Sequence, residues 1–135
     1  MLLRYKADIR TLAFMAVTTA LLFIQWNSSE FNPFLFVLAN LMAISVTAIA
    51  HNHNHLSMWK SDFLNLLTDY WLTLFYGYPA FAWIPTHNTN HHVWTNKEPD
   101  YTATYKISEK NNILTLLAYP TYSGMVQQKA NITYV

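Results

Sequence analysis

Two apolar runs without a single charge constrain this chain more than anything else in it. Residues 11–26 (TLAFMAVTTALLFIQW) form the first and residues 33–50 (PFLFVLANLMAISVTAIA) the second, with a short polar turn at 27–32 between them. Each lies near the short end of the roughly 17–25 residues that a membrane-crossing helix needs. Flanking residues such as Ile9, and the helix that continues beyond Ala50, supply the missing length. Charged residues make up only 11% of the chain, against about 25% in an ordinary soluble domain. The expectation is therefore an all-α protein with a helical hairpin in the membrane over about 9–50; no segment has a convincing strand period. Arg4, Lys6 and Arg10 precede the first run and the turn carries only Glu30, which places the N-terminus in the cytoplasm. The second helix then returns to that side. A cleaved signal peptide is disfavoured, because no small-residue cleavage site follows and a second apolar run comes almost at once.

All six histidines fall in two short boxes, His51-Asn-His53-Asn-His55 and His87-Asn-Thr-Asn-His91-His92, each just after a strongly apolar stretch. Histidine is the commonest metal ligand. On a helix of about 3.6 residues per turn, positions four apart share a face. His51 and His55 can thus converge, His87 and His91 repeat the geometry, and His92 is expected to point away from those two. His53 lies about 200° round the helix from His51; it is the poorest candidate ligand and is expected to face water or a phosphate headgroup. Imidazole suits zinc, copper, iron and nickel alike. More than four histidines exceed a closed tetrahedral zinc set, and imply two metals or an open, higher-coordinate site.

Residues 63–85 could pass for a third span by hydropathy, but they contain Asn65, Asp69, Gly77 and Pro79, and six aromatics between Trp71 and Trp83. A charged Asp inside a span costs on the order of 2.5–3.5 kcal/mol. If the two boxes share a metal, a spanning helix would also separate them by about 30 Å. The segment is therefore expected to lie along the interface, or to enter and return on one side. Its aromatics serve as belt anchors or line a substrate channel. A polar stretch at 95–112 follows and reads as a cytoplasmic loop. The apolar stretch from Ile113 would open another helix, expected to be interrupted by Pro120 and Gly124.

Metal-bound imidazoles need the second ring nitrogen held. Asp69 and Asp100 are the leading carboxylates for this, and Asn88 the leading amide; Asp69 has the alternative of snorkelling to the interface. Other chemistries are poorly supplied. Two glycines make no phosphate loop, and a net charge of +1 without a basic stripe gives no nucleic-acid footprint. The absence of Cys removes disulfides and thiolate metal sites.

HxxxH at His51–His55, followed 36 residues on by HxxxHH at His87–His92, resembles the membrane fatty acid desaturases. The stretch WIPTHNTNHHVWTNKEPDY, residues 83–101, is especially similar to their second box and the loop after it. The resemblance implies a cytoplasmic di-iron centre that activates O2. It also implies electrons from a cytochrome b5 or ferredoxin-type donor, and a lipid acyl chain as substrate. Position by position it implies His51, His55, His87, His91 and His92 as iron ligands, with no role for His53. Iron suits the task, since removing hydrogen from an unactivated methylene needs an oxidant that a redox-silent metal cannot supply. The family also has a third, C-terminal histidine box after further membrane helices. The 135 residues are accordingly expected to be the N-terminal part of such a domain, an incomplete fold incapable of turnover alone. Related histidine-box hydroxylases or ketolases acting on alkanes, sterols or carotenoids are the nearest alternative. A non-enzymatic membrane metal-binding protein is the more distant one.

Overall fold

The computed structural model describes residues 2–134. They form helices and loops, with one isolated antiparallel bridge between Leu3 and Trp59. The chain divides into two compact units, Met1–Ala80 and Phe81–Val135.

In the first unit α1 (Asp8–Trp26) and α2 (Pro33–His55) are the expected hairpin. Asn32 starts α2: its backbone is extended and its Oδ1 accepts the Leu35 N–H at 3.1 Å. Pro33 follows at the first helical position, where its missing N–H costs nothing. Both helices are long and apolar enough to cross a membrane, and only 11% and 17% of their apolar windows are buried. The core helix of a soluble protein would bury most of its length. Here Phe14, Val17, Leu22, Val37, Leu41 and Ile44 are exposed, an apolar surface suited to lipid rather than to water. The all-α, membrane-type reading holds. α2 runs beyond its apolar stretch, so the first histidine box is the end of a spanning-length helix.

α3 (Asp62–Tyr76) has 15 residues, about 22 Å at about 1.5 Å each, short of the hydrocarbon core. Gly77 stops it with φ +74°, donating its N–H to the Thr73 carbonyl at 3.0 Å; this left-handed residue is the usual glycine helix stop. The apolar 63–85 segment is thus not one continuous helix: it breaks after Tyr76 and resumes as a 3-10 turn, Ala80–Trp83. α3 packs on α2 through Val46, Ile49, Ala50 and Leu72, with Ala80 completing the cluster. Trp71 Nε1 donates to Thr19 Oγ1 at 2.9 Å and ties α3 to α1. At the N-terminus, Arg4 N donates to the Met58 carbonyl (2.9 Å) and Lys60 N to the Leu2 carbonyl (3.0 Å), straightening the loop that follows the first box.

The second unit opens with a π-helical segment, Ile84–His91, which passes into the short α4 (His92–Trp94). A loop with a 3-10 turn at Thr104–Lys106 leads to α5 (Ile113–Tyr134). Contrary to the sequence expectation, α5 continues through Pro120 and Gly124. Proline inside a helix costs about 3 kcal/mol. Tertiary anchoring offsets it: the Tyr119 hydroxyl donates to the Thr102 carbonyl (3.1 Å) and the Tyr122 hydroxyl to that of Tyr101 (2.9 Å).

Candidate metal centre

In the first unit, four-residue spacing does what an α-helix dictates. His51 and His55 stack one turn apart, with ring centroids 4.8 Å apart and edge-on. His51 is half-buried and His55 exposed. His53 does not face water. It is buried, its Nδ1 accepts the Met58 N–H at 3.2 Å, and its Nε2 lies 3.6 Å from Asp69 Oδ1. The sequence could place His53 opposite His51, but not say that α3 and the 56–60 loop would cover that face. Asp69 therefore has a partner in His53, the histidine outside the expected ligand set, and keeps 43% of its side chain exposed.

The second box is wound differently, and this changes which imidazoles meet. In an α-helix His92 would stand about 140° round from His87. In the π-helical segment backbone hydrogen bonds run five residues along, the His92 N–H donating to the His87 carbonyl, and the two come together. Their Nε2 atoms are 3.0 Å apart and their ring centroids 4.5 Å. The expectation that His92 points away from its neighbours is thus overturned by the local winding. His91 stacks at 5.7 Å from His87, and the Trp83 ring meets His87 edge-on at 5.2 Å.

Asp100 has no exposed surface. Its Oδ2 lies 2.8 Å from His91 Nδ1 and accepts the Asn96 N–H at 2.9 Å. Its Oδ1 accepts the Thr102 N–H (2.9 Å) and the Thr102 hydroxyl (2.7 Å). Burial by itself raises a carboxyl's pKa, but these hydrogen bonds outweigh it and bring Asp100 down to about 2. The loop reaches this position by two left-handed residues, Thr95 (φ 46°) and Asn96 (φ 60°). It is then stapled to the π-helical segment: Asn90 Oδ1 accepts the Tyr101 N–H (3.2 Å) and the Tyr101 hydroxyl donates to the Pro85 carbonyl (2.8 Å). Asn88 is half-buried, next to His87. Thr102 and Tyr101 carried no expectation from sequence. The one local signal was Thr102, two residues after an Asp, a spacing at which side chains bond the nearby backbone.

The second unit also holds an open cleft of about 580 Å³, lined by Pro85, Tyr101, Val126, Lys129 and Thr133 among others.

These donors fit a transition metal. With Asp100 ionised, His91 donates from Nδ1 and presents its lone pair at Nε2, the usual carboxylate–histidine–metal arrangement. Two imidazole nitrogens bound side by side to one ion at about 2.1 Å would lie about 3.0 Å apart, as His87 and His92 do. All ligating candidates are imidazoles and no Cys is present, a set suited to iron among other first-row metals.

The family model described as fatty acid desaturase matches residues 8–128, both boxes included. No curated protein and no solved structure matches the chain.

Proposed function

Because this chain belongs to the fatty acid desaturase family, a family of lipid-metabolising oxidoreductases, we propose that it contributes to O2-dependent desaturation of fatty acyl chains at a membrane di-iron centre. His51, His55, His87, His91 and His92 are ligands in that reading, as part of a larger two-iron set. Bound iron supplies the O2 activation and oxidising power that an unactivated methylene requires. The residues supply the rest. His87 and His92 would converge on one ion, Asp100 would hold His91 in the tautomer that ligates, and Asn88 is a candidate partner for a neighbouring ring. The apolar hairpin embeds the protein in the bilayer, with both boxes on the cytoplasmic side. There an acyl tail arrives from lipid, and a cytochrome b5 or ferredoxin-type donor arrives from water. The cleft beside Pro85, within two residues of His87, has a volume in the range of ligand pockets and would take part of the acyl chain.

The observation that carries this reading is the all-imidazole second box, two Nε2 atoms at 3.0 Å beside a histidine seated on a buried carboxylate. The test is iron content and Mössbauer coupling of the purified membrane protein with the complete two-iron ligand set supplied, and mass analysis of its lipid products; the 135 residues alone are expected to be inactive. Coupled iron in the wild type, and loss of most of it in His87→Ala and His91→Ala, is expected. A product short of two hydrogens supports desaturation, whereas a gain of oxygen assigns hydroxylation instead. Protein that purifies without iron from iron-replete cells would refute the metal assignment.

A further inference from the structure

The iron reading gives five histidines a task and leaves His53 without one. Yet His53 is the most buried of the first box, with 4% of its side chain exposed. Burying an imidazole is costly unless its nitrogens are used, so its place demands a reason. Its Nδ1 accepts the Met58 N–H at 3.2 Å. A neutral ring that accepts at Nδ1 carries its proton on Nε2, so Nε2 has no lone pair to offer a metal. Among the described residues that Nε2 makes no hydrogen bond but faces Asp69 Oδ1 at 3.6 Å.

Met58 belongs to a loop clamped at several points. Its carbonyl accepts the Arg4 N–H (2.9 Å), while Trp59 N–H donates to Asn65 Oδ1 (2.9 Å). Asn65 Nδ2 returns to the Trp59 carbonyl (3.1 Å), and Trp59 Nε1 donates to Thr68 Oγ1 (2.8 Å). The loop is thereby fixed to α3, and His53 fixes the end of α2 to the loop. Helix ends fray, and the two histidines beside His53 sit in such an end. A ring about 200° round from His51, held on one side by Met58 and facing α3 on the other, prevents the turn from rotating.

We propose that His53 is the positioning residue of the first box, with Asp69 as its counterpart. Together they form a strut that sets the rotation of the last turn of α2, and so the direction in which His51 and His55 present their lone pairs. The inference rests on the reading of those two as metal ligands.

The experiment uses the full chain in lipid nanodiscs, with amide exchange at Met58 read without metal and iron binding read by titration and Mössbauer spectroscopy. In His53→Ala the Met58 amide is expected to exchange about tenfold faster, as for loss of one hydrogen bond. Iron binding should weaken about tenfold, the range for lost orienting contacts, with a changed iron spectrum and unchanged helix content. His53→Asn, whose side-chain oxygen can accept the Met58 N–H, should restore both the protection and most of the iron. Asp69→Asn should alter the iron spectrum while leaving Met58 protected. If His53→Ala is too unstable to purify, His53→Asn and Asp69→Asn decide by the same readouts. Wild-type iron affinity and spectrum in His53→Ala would overturn the strut. So would a His53→Asn protein as depleted of iron as His51→Ala, which would make His53 a ligand. Wild-type iron in His51→Ala would instead refute the metal reading of the box itself, and wild-type iron confined to His53→Ala leaves that reading standing.

Discussion

The two histidine boxes use the same residue types and opposite means of holding them. The first is the end of an ordinary α-helix, and its histidines pair at four-residue spacing, His51 with His55. The second is π-helical, and the closest pair is five apart, His87 with His92. Support differs as well. In the first box it comes from behind the helix, through a buried histidine and a carboxylate that stays partly open. In the second it comes from a loop that delivers a fully buried carboxylate to His91. A histidine motif therefore states how many imidazoles are available, while the winding of the backbone decides which of them share an ion.

Substitution of the two carboxylates should separate the boxes most. Asp100→Ala leaves two backbone N–H groups and the Thr102 hydroxyl without their acceptor, and should cost about 3 kcal/mol with about tenfold weaker metal binding. Asp69→Ala, at a half-open position, should cost under about 1 kcal/mol. Denaturant midpoints and metal titrations read both, and equal losses would erase the contrast.

Acid should act on the second unit in the same direction but less strongly. The Asp100 carboxyl is held below its ordinary value, at about 2, so its ionised form is favoured by folding. The stability it contributes is complete above about pH 4 and is lost as the pH falls through about 2, roughly 2 kcal/mol in all. Exchange protection of the Asn96 and Thr102 amides should fall over that window; constant protection from pH 5 to pH 2 would contradict the assignment.

Smaller effects test the backbone. Asn32→Ala removes the cap of α2 and should cost about 1 kcal/mol in thermal stability. Thr95→Gly should do the reverse, gaining up to about 1 kcal/mol, because a β-branched residue at φ 46° is strained where glycine is not. A loss of stability in Thr95→Gly would mean that its hydroxyl bond to the His92 carbonyl (3.3 Å) outweighs the strain.

Much of the architecture was legible because it depends on local patterns. Uncharged runs of spanning length imply the hairpin, and the polar turn at 27–32 separates its two helices. The site was legible only as an inventory. His92 was misjudged because α-helical angles do not apply where the chain winds as a π-helix, and no residue count reveals that. His53 was assigned to solvent because periodicity shows that it lies opposite His51 but not what covers that side. Pro120 was read as a break because helix propensity ignores the hydroxyls of Tyr119 and Tyr122 that hold α5 in place.

Sequence by itself determined the membrane character of the hairpin, the helical class and the pool of imidazoles, since charge content and short-range spacing survive any arrangement of the chain. Tertiary structure alone decided that His87 meets His92, that Asp100 orients His91, and that His53 turns inward. The first is set by π-helical winding that residue counting does not reveal; the other two depend on separate segments filling the same space and completing one another's hydrogen bonds.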